Sequence, residues 1–425
     1  MPQRIEVILP FAIADTYTYL VPDSIQCPQP GTRVIVPLGK KEVVGIVDEI
    51  KLKVESGKWK EVDKVLSPQG ARLFDSLKLR EIICVLDREP MVTENQLKLW
   101  RWISNYYMCP IGDVLAAALP AKAMDKTYSF DQEKKRRVKL PQYNEGLNRL
   151  PLNDELILSR AQTQALHQIQ EQWQSKDVVL LHGVTSSGKT EVYMHLIEQT
   201  LAAGKNVLYL VPEIALTTQL TERLATHFGD SLYVYHSRIT DAQRVEIYRR
   251  LLSYSDSGHL IVGARSAIFL PLNNLGLIIV DEEHEPSYKQ QDPAPRYHAR
   301  SVAIMAAAQQ KAKVLLGTAT PSVETYHNAL AGKYGLVNLT ERYAGLALPT
   351  IELIDLQRQY HRKEMYEHFS DPLVARIKEE LSKGKQIILF QNRRGYAPFV
   401  QCTQCGQPPR CPNCDVSLTV HLNTR

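Results

Sequence analysis

The chain has 425 residues, of which 44% are hydrophobic and 23% are charged, so disorder, collagen and a coiled coil are excluded for the protein as a whole. Its formal net charge of +5 permits nucleic-acid binding but does not by itself indicate it. No apolar run reaches the roughly 20 residues that cross a bilayer, and the first residues lack the layout of a signal peptide. We therefore expect a cytoplasmic protein of several domains with no membrane partner.

Residues 1–70 contain short apolar runs typical of β-strands, separated by Pro-Asp, Pro-Gly and Leu-Gly-Lys turn signals. The predicted strands are Ile5–Leu9, Thr16–Val21, Thr32–Pro37 and Val43–Ile50. From residue 71 to 105 the apolar spacing becomes helical and predicts one or two helices packed on this β-rich module. Residues 124–153 are polar, carry a basic run and show little periodicity, so we expect a linker.

From residue 158 onward, apolar runs alternate with helical stretches, which is the pattern of a parallel sheet covered on both faces. The runs are Val178–His182, Val207–Val211, Leu260–Val262, Leu275–Val280 and Lys313–Leu316. A helix predicted at 372–383 and a strand predicted at 386–390 would open a second lobe. We therefore expect a multidomain α/β protein with a small β-rich module, a RecA-like lobe and the start of another lobe.

Residues 183–190, Gly-Val-Thr-Ser-Ser-Gly-Lys-Thr, match the phosphate-loop pattern G-x-x-x-x-G-K-[ST] between a predicted strand and a predicted helix. Backbone N–H groups of such a loop surround the phosphates of ATP, its lysine reaches the β and γ oxygens, and its hydroxyl binds Mg²⁺. The predicted nucleotide-binding residues are Gly183, Val184, Thr185, Ser186, Ser187, Gly188, Lys189 and Thr190.

A DEAH-like box, Asp281-Glu-Glu-His284, follows the predicted strand 275–280 and should meet the phosphate loop at the carboxyl edge of the sheet. Asp281 is predicted to hold Mg²⁺, and Glu282 to orient and deprotonate the attacking water. With Lys189, His284 completes the predicted catalytic set. We expect His284 to contact Thr318 and Thr320 and so to link the nucleotide site to the DNA site.

Three more motifs stand at predicted strand ends and complete the ordered set of a superfamily 2 helicase: 212–219, 263–266 and 317–322. Loops on the nucleotide side of such a sheet sense the γ-phosphate, while neighbouring loops hold a phosphodiester backbone, so hydrolysis can shift the grip on a strand. Arg265, in the second of these motifs, is a predicted DNA contact.

Several sequence motifs are specific to one family: 17–19, 106–114 with 118–120, 212–219, 281–289, 295–300 and 392–398. Through them the chain resembles the bacterial replication restart helicases, the primosomal protein N-prime family. The resemblance implies a helicase that unwinds DNA in the 3′ to 5′ direction at stalled forks or D-loops and restarts replication through primosome assembly. It also implies forked and single-stranded DNA, single-stranded DNA-binding protein and primosome components as partners of a monomer.

The resemblance assigns further residues. The N-terminal module would capture a 3′ strand end with Tyr17, Thr18, Tyr19, Gly39, Lys40 and Lys60. An aromatic-rich loop that couples DNA to ATP would include Tyr288, Lys289, Arg296, Tyr297 and Arg300. Gln162 would contact adenine. From the residues alone, strand packing of the tyrosines, a polar surface loop and a solvent-facing glutamine are the alternatives.

Two cysteine pairs, Cys402 with Cys405 and Cys411 with Cys414, have zinc-ligand spacing. The resemblance implies two zinc ions, each shared between one of these pairs and a later pair that this sequence lacks, so we expect incomplete sites. The family's winged-helix module and its arginine finger are also not evident. We therefore expect a chain truncated within the second lobe that binds ATP and turns it over slowly.

The expected domains are a 3′-end DNA-binding module at 1–110, a linker with a reduced winged-helix region at 111–155, an ATP-binding lobe at 156–345, and the start of a second lobe with a partial zinc-binding region at 346–425. Two other functions fit the same residues: another superfamily 2 DNA translocase, or a non-enzymatic fragment that binds forks.

Overall fold

A computed structural model of the chain describes residues 3–13, 15–51, 79–128, 138, 140, 157–213, 218–253, 258–342 and 350–390. The chain divides into two compact units, Met1–Leu346 and Ala347–Arg425. None of the helices in the described ranges is both long and apolar enough to span a bilayer.

The N-terminal module is built on an antiparallel sheet of five strands in the order β2-β1-β4-β3-β5. The strands are β1 Gln3–Ile8, β2 Tyr17–Val21, β3 Arg33–Leu38, β4 Lys41–Lys51 and β5 Cys84–Val85. The first four confirm the strands expected from the turn signals. Their inward-facing aliphatic side chains, among them Ile5, Val7 and Val34, are fully buried and form the core of the module.

The segment 80–86 joins the two edges of this sheet. Leu20 N donates to Arg80 O at 2.9 Å, and Ile83 N donates to Ile35 O at 2.8 Å. The helical spacing predicts a helix here, and that prediction is wrong for residues 79–86. Their backbone groups pair with the sheet instead, and this tertiary pairing outweighs the local apolar spacing.

Two helices follow, α1 Glu94–Tyr106 and α2 Ile111–Ala118. Helix α1 confirms the second half of the predicted helical region and begins with a capping box between Thr93 and Gln96. The expectation of a linker from residue 111 is wrong for α2 and for the 3₁₀ turn Ala121–Met124 that follows it. An eight-residue helix is too short to show periodicity, yet its side chains at Val114 and Leu115 are fully buried.

The second part of the first unit, here called the α/β lobe, is a seven-stranded parallel sheet in the order β12-β6-β11-β10-β7-β9-β8, with helices on both faces. The strands are β6 Val178–Gly183, β7 Asn206–Leu210, β8 Leu232–Tyr235, β9 Leu260–Gly263, β10 Leu275–Asp281, β11 Lys313–Thr318 and β12 Gly335–Leu339. The helices are α3 Arg160–Ser175, α4 Lys189–Ala202, α5 Thr218–Phe228, α6 Asp241–Ser253, α7 Ala299–Gln310 and α8 Val323–Leu330. The parallel sheet is confirmed; the sequence pattern missed the short edge strands β8 and β12.

The N-terminal module and the α/β lobe share one hydrophobic core. Trp100 and Ile103 of α1 are fully buried in the same cluster as Val302 of α7. The Gln96 side-chain amide crosses the boundary and donates to Phe269 O at 2.8 Å and to the Tyr248 hydroxyl at 3.0 Å. Module and lobe are therefore packed as one body within the first unit.

The described part of the second unit contains α9 Leu356–His361, a hairpin of β13 Met365–Tyr366 and β14 Phe369–Ser370, and α10 Asp371–Ser382. Helix α10 confirms the predicted helix. The strand expected at 386–390 does not form, and Ile388 and Phe390 are exposed. An extended segment needs a hydrogen-bonding neighbour to become a strand, and none of the residues described in this unit pairs with it.

Candidate nucleotide and DNA site

Three neighbouring strands of the lobe end at the same edge of the sheet. In the parallel ladders Gly317 of β11 lies opposite Leu181 of β6 and Asp281 of β10. The phosphate loop after β6, the acidic box after β10 and the threonine motif after β11 therefore meet at the carboxyl edge, where α/β sheets bind their ligands.

The phosphate loop joins β6 to α4. Gly188 forms the N-cap of α4 in a left-handed conformation with φ of 77°, and a Cβ atom there would collide with the Gln162 side-chain amide. Lys189 Nζ donates to Gly183 O at 3.0 Å, so its ammonium lies across the loop. The Ser187 hydroxyl is buried and has no hydrogen-bond partner among the residues that the structure describes. A helix N-terminus, an ammonium and an unpaired hydroxyl at one turn fit a bound phosphate.

Gln162 supports the phosphate loop from α3. Its Oε1 accepts from Ser159 N at 2.8 Å, while its Nε2 donates to Ser187 O at 3.2 Å and Gly188 O at 3.3 Å. The side chain is buried. The alternative of a solvent-facing glutamine is therefore wrong. An adenine contact would require the amide to exchange at least one of these bonds.

Asp281 is held by two tyrosine hydroxyls that no motif predicted. Tyr193 OH donates to its Oδ1 at 3.0 Å, and Tyr209 OH donates to its Oδ2 at 3.2 Å. Gly317 makes room for the first contact, because a Cβ atom there would collide with the Tyr193 hydroxyl. Burial, followed by the charge of Glu282, raises the pKa of Asp281 above its usual 3.8.

Glu282, His284 and the two threonines form a polar chain beside Asp281. His284 Nδ1 lies 2.7 Å from Thr318 Oγ1, and His284 Nε2 lies 3.5 Å from Thr320 Oγ1. This confirms the expected contacts of His284. Thr318 Oγ1 also donates to Glu282 Oε2 at 3.5 Å. These hydrogen bonds connect the predicted water-activating carboxylate to the loop after β11.

Replacement of Asp281 by asparagine is expected to raise the thermal midpoint of the ligand-free protein while weakening Mg²⁺-dependent nucleotide binding. The folded protein binds the Asp281 proton more tightly than the unfolded chain does, so ionisation above the usual pKa of 3.8 costs stability that asparagine avoids. Asparagine keeps one acceptor oxygen for a tyrosine hydroxyl, and its Nδ2 can donate to the oxygen of the other. The gain should shrink as the pH falls toward 3.8. Thermal unfolding across pH measures it; a lower midpoint for Asp281→Asn at neutral pH would contradict this account.

Glu283 is the third residue of the acidic box, has no role assigned from the sequence, and is fully buried. Arg300 pairs with it, Ser322 N donates to its Oε1 at 2.7 Å, and Thr325 Oγ1 donates to its Oε2 at 2.9 Å. This network ties the start of α7 to the start of α8. Arg300, predicted to contact DNA, is thus occupied inside the lobe.

The aromatic-rich loop, which the resemblance predicts to couple DNA to ATP, has two tyrosine rings buried inside the protein. Tyr288 and Tyr297 are each 1% exposed. The Tyr288 hydroxyl donates to Asp281 O at 2.7 Å, and the Tyr297 ring packs edge-on against Phe269 with centroids 5.0 Å apart. Burial of a large ring outweighs its availability for stacking, so both rings brace the loop. Arg296 is exposed.

Arg265 lies beside this loop, which includes Lys289. Arg265 Nη1 donates to Lys289 O at 3.1 Å, and its guanidinium lies 5.9 Å from the centre of the Tyr297 ring. The motif after β9 is therefore in direct contact with the aromatic-rich loop.

The N-terminal module brings most of the predicted 3′-end residues to one region. Tyr19 OH donates to Pro37 O at 3.2 Å, just before the β3–β4 turn that carries Gly39 and Lys40. Tyr19 itself is only 3% exposed. Its ring therefore packs inside the module, which agrees with the alternative of ordinary strand packing. Arg80, which sequence reasoning missed, donates to Gly39 O at 2.8 Å.

Of the other residues at this end, Tyr17 is half-buried, Lys40 is exposed, and Thr18 Oγ1 donates to Glu6 Oε1 at 2.7 Å. Lys60 lies outside the described residues. The same holds for Cys402, Cys405, Cys411 and Cys414. Within the described ranges, no group of three or more His, Cys, Asp or Glu side chains is placed to hold a metal ion.

Two family models match this chain. The model of the 3′DNA-binding domain matches residues 6–120, and the model of the DEAD/DEAH box helicase domain matches residues 159–329. The replication restart protein PriA of Rickettsia conorii is 38% identical over 420 residues, which is 99% of this chain and 58% of that protein. Nearly the whole chain is therefore similar in sequence to replication restart proteins.

The replication restart protein PriA of Bacillus subtilis is 44% identical over 274 residues, 64% of this chain and 33% of that protein. This chain spans less than two thirds of the length of such relatives. Among solved structures, the helicase domain of Pyrococcus furiosus Hef matches 53% of this chain and 54% of that chain at 17% identity, with a TM-score of 0.34.

Proposed function

We propose that this chain is the nucleotide-binding and 3′-end-binding part of a replication restart helicase, which moves along DNA in the 3′ to 5′ direction. The observation that carries the proposal is the meeting of the phosphate loop, Asp281 and the Glu282–Thr318–His284 chain at one edge of the sheet. A phosphate cradle beside paired carboxylates is the arrangement that phosphoryl transfer requires.

Each side chain then has a role set by its position. The N–H groups at the start of α4 and the Lys189 ammonium would neutralise the β and γ phosphates of ATP, after Lys189 releases Gly183 O. Thr190 and Asp281 would hold Mg²⁺, which supplies charge neutralisation when bound. Glu282 would orient and deprotonate the attacking water.

The contacts of Arg300 and Arg265 support a route from this site to DNA. Glu283 adjoins Glu282 and pairs with Arg300 at the end of the aromatic-rich loop. At the other side of the loop, Arg265 contacts Lys289 O. A DNA strand held by Arg265, Lys289 or Arg296 would shift the aromatic-rich loop. The loop would in turn shift the acidic box through the contact of Arg300 with Glu283. Through the family resemblance we also propose single-stranded DNA-binding protein and primosome components as partners, and zinc at the two cysteine pairs.

A titration of the full chain with a fluorescent ATP analogue, with and without Mg²⁺, tests the proposed function. We expect Mg²⁺-dependent binding, and an added oligothymidine strand should change the nucleotide affinity, because coupling between two sites is reciprocal. Absence of nucleotide binding would overturn the proposal. Binding that is indifferent to the strand would overturn its coupling to DNA.

The proposed 3′-end site gives a separate prediction. The full chain should bind a strand with a free 3′ hydroxyl more tightly than the same strand with a 3′ phosphate, because a site shaped for a strand end has no room for the added group and its charge. Fluorescence anisotropy with the two strands measures the preference. A strand phosphorylated only at its 5′ end is the matched control, and equal affinity for the two 3′ forms would contradict the prediction.

A further inference from the structure

An exposed group of aromatic side chains lies at the C-terminal end of α1. We define the aromatic patch as Trp102, Tyr106, Tyr107 and Met108. The rings of Trp102 and Tyr106 are stacked, with centroids 4.7 Å apart and an interplanar angle of 18°. Tyr107 stands edge-on to Tyr106 with centroids 4.9 Å apart. The patch is therefore a preformed aromatic stack.

Trp102 and Tyr107 pack partly against the core of the protein. Packing within the protein does not account for the exposure of Tyr106 and Met108. Tyr106 is 62% exposed and Met108 is 91% exposed, so the stack covers one face of the Tyr106 ring and leaves much of the residue in water. Met108 also has a positive φ of 49°, directly after the C-cap of α1, where glycine is the favoured residue. A long apolar side chain in a left-handed position gains nothing from the core here.

The aromatic patch is also attached to cationic groups. Lys289 Nζ lies 5.2 Å from the centre of the Tyr107 ring, and the Tyr107 hydroxyl accepts a hydrogen bond from His298 N at 3.1 Å. The same loop carries the exposed guanidinium of Arg296, which lies 3.6 Å from the exposed Asp292 carboxylate. Aromatic rings beside the two cationic side chains of Lys289 and Arg296 match the two components of an unpaired strand, its bases and its phosphates.

We propose that the aromatic patch is a stacking platform for unpaired nucleobases, with the Tyr106 ring under a base and Lys289 and Arg296 beside the adjoining phosphates. The inference rests on the proposed function and names a binding surface for its strand. A protein partner would need a complementary apolar surface and would not use the positive charge that Lys289 brings to the rings, so the charge of the surroundings favours nucleic acid.

Tyr106→Ala in the full chain tests the platform with fluorescently labelled oligothymidine and with an abasic strand of equal length. We expect roughly tenfold weaker binding of oligothymidine, within the range reported for loss of one base–aromatic stack. Affinity for the abasic strand should not change, because it keeps the phosphates but offers no base. Tyr106→Phe keeps the ring and should restore binding. Tyr360→Ala, at a tyrosine of similar exposure (60%), is the matched control.

A photo-crosslink locates the base directly. A strand containing 5-iodouracil, irradiated with the full chain, should attach to Trp102 or Tyr106 and be found by mass spectrometry of the peptide. Unchanged oligothymidine affinity in Tyr106→Ala would overturn the proposal and would leave the patch to a protein partner. An equal loss of affinity for the abasic strand would overturn base stacking as the mechanism.

The outcome is distinguishable from failure of the proposed function. Nucleotide binding without strand should be the same in Tyr106→Ala and in the parent chain, because the patch does not contact the phosphate loop. If the parent chain fails to bind nucleotide, the proposed function fails even where the stacking result is positive.

Discussion

Lys189→Ala is expected to weaken binding of the Mg²⁺ complex of ATP by about 2 kcal/mol or more, roughly 30-fold in dissociation constant. Within the described phosphate loop, Lys189 is the side chain that brings an ammonium to the nucleotide site, where it now rests on Gly183 O. Removing it takes away a charge-assisted contact to the β and γ oxygens. Titration with a fluorescent ATP analogue measures the loss.

Lys205→Ala is the matched control for this experiment. Lys205 is exposed immediately before β7, at the amino edge of the same sheet, so it should not affect a nucleotide bound at the carboxyl edge. Equal affinities of Lys189→Ala and the parent chain would show that the assigned phosphate loop does not bind ATP.

Arg33→Ala is expected to lower the free energy of unfolding by about 3–5 kcal/mol, the usual cost of removing one partner from a buried ion pair. The Arg33 and Asp87 side chains are 0% and 4% exposed, with Nη2 and Oδ1 2.6 Å apart. Arg33 Nε donates to Asp87 Oδ2 at 2.8 Å, and Nη1 donates to Ala123 O at 2.6 Å. The substitution would leave a buried carboxylate and a buried carbonyl without this donor.

Chemical denaturation, with the thermal midpoint as a second readout, measures the loss. Lys98→Ala removes a surface pair with Glu94, whose side chains are 55% and 80% exposed, and should change stability by no more than about 0.5 kcal/mol. A loss in Arg33→Ala as small as that in Lys98→Ala would mean that the Arg33–Asp87 pair contributes little to the fold.

The parts of the fold that follow from sequence are those fixed by neighbouring residues. Buried parallel strands such as β10 are continuous apolar runs, and the phosphate loop has its ligands within one turn, so their positions could be predicted. The contact of His284 with the threonines also followed, because the strand ends of one sheet edge lie close together.

The remaining features depend on residues far apart in the chain. Tyr193 and Tyr209 look like ordinary apolar positions of a helix and a strand, and only the sheet brings their hydroxyls to Asp281. The burial of Tyr288 and Tyr297 likewise depends on partners such as Phe269 and Leu210. A sequence pattern of aromatic and basic residues cannot tell a ring that braces a loop from a ring that meets a base.

The core shared by α1 and the α/β lobe limits which substitutions the protein can accept. Gln96 donates to residues that lie more than a hundred positions later in the chain, and Trp100 and Ile103 are buried in one cluster with Val302 of α7. A substitution on one side of this boundary alters the fit on the other, so the two halves can accept changes only in compatible pairs. Recombination that replaced the N-terminal module with one from a distant relative would join mismatched faces. We therefore expect the N-terminal module and the α/β lobe to be inherited together.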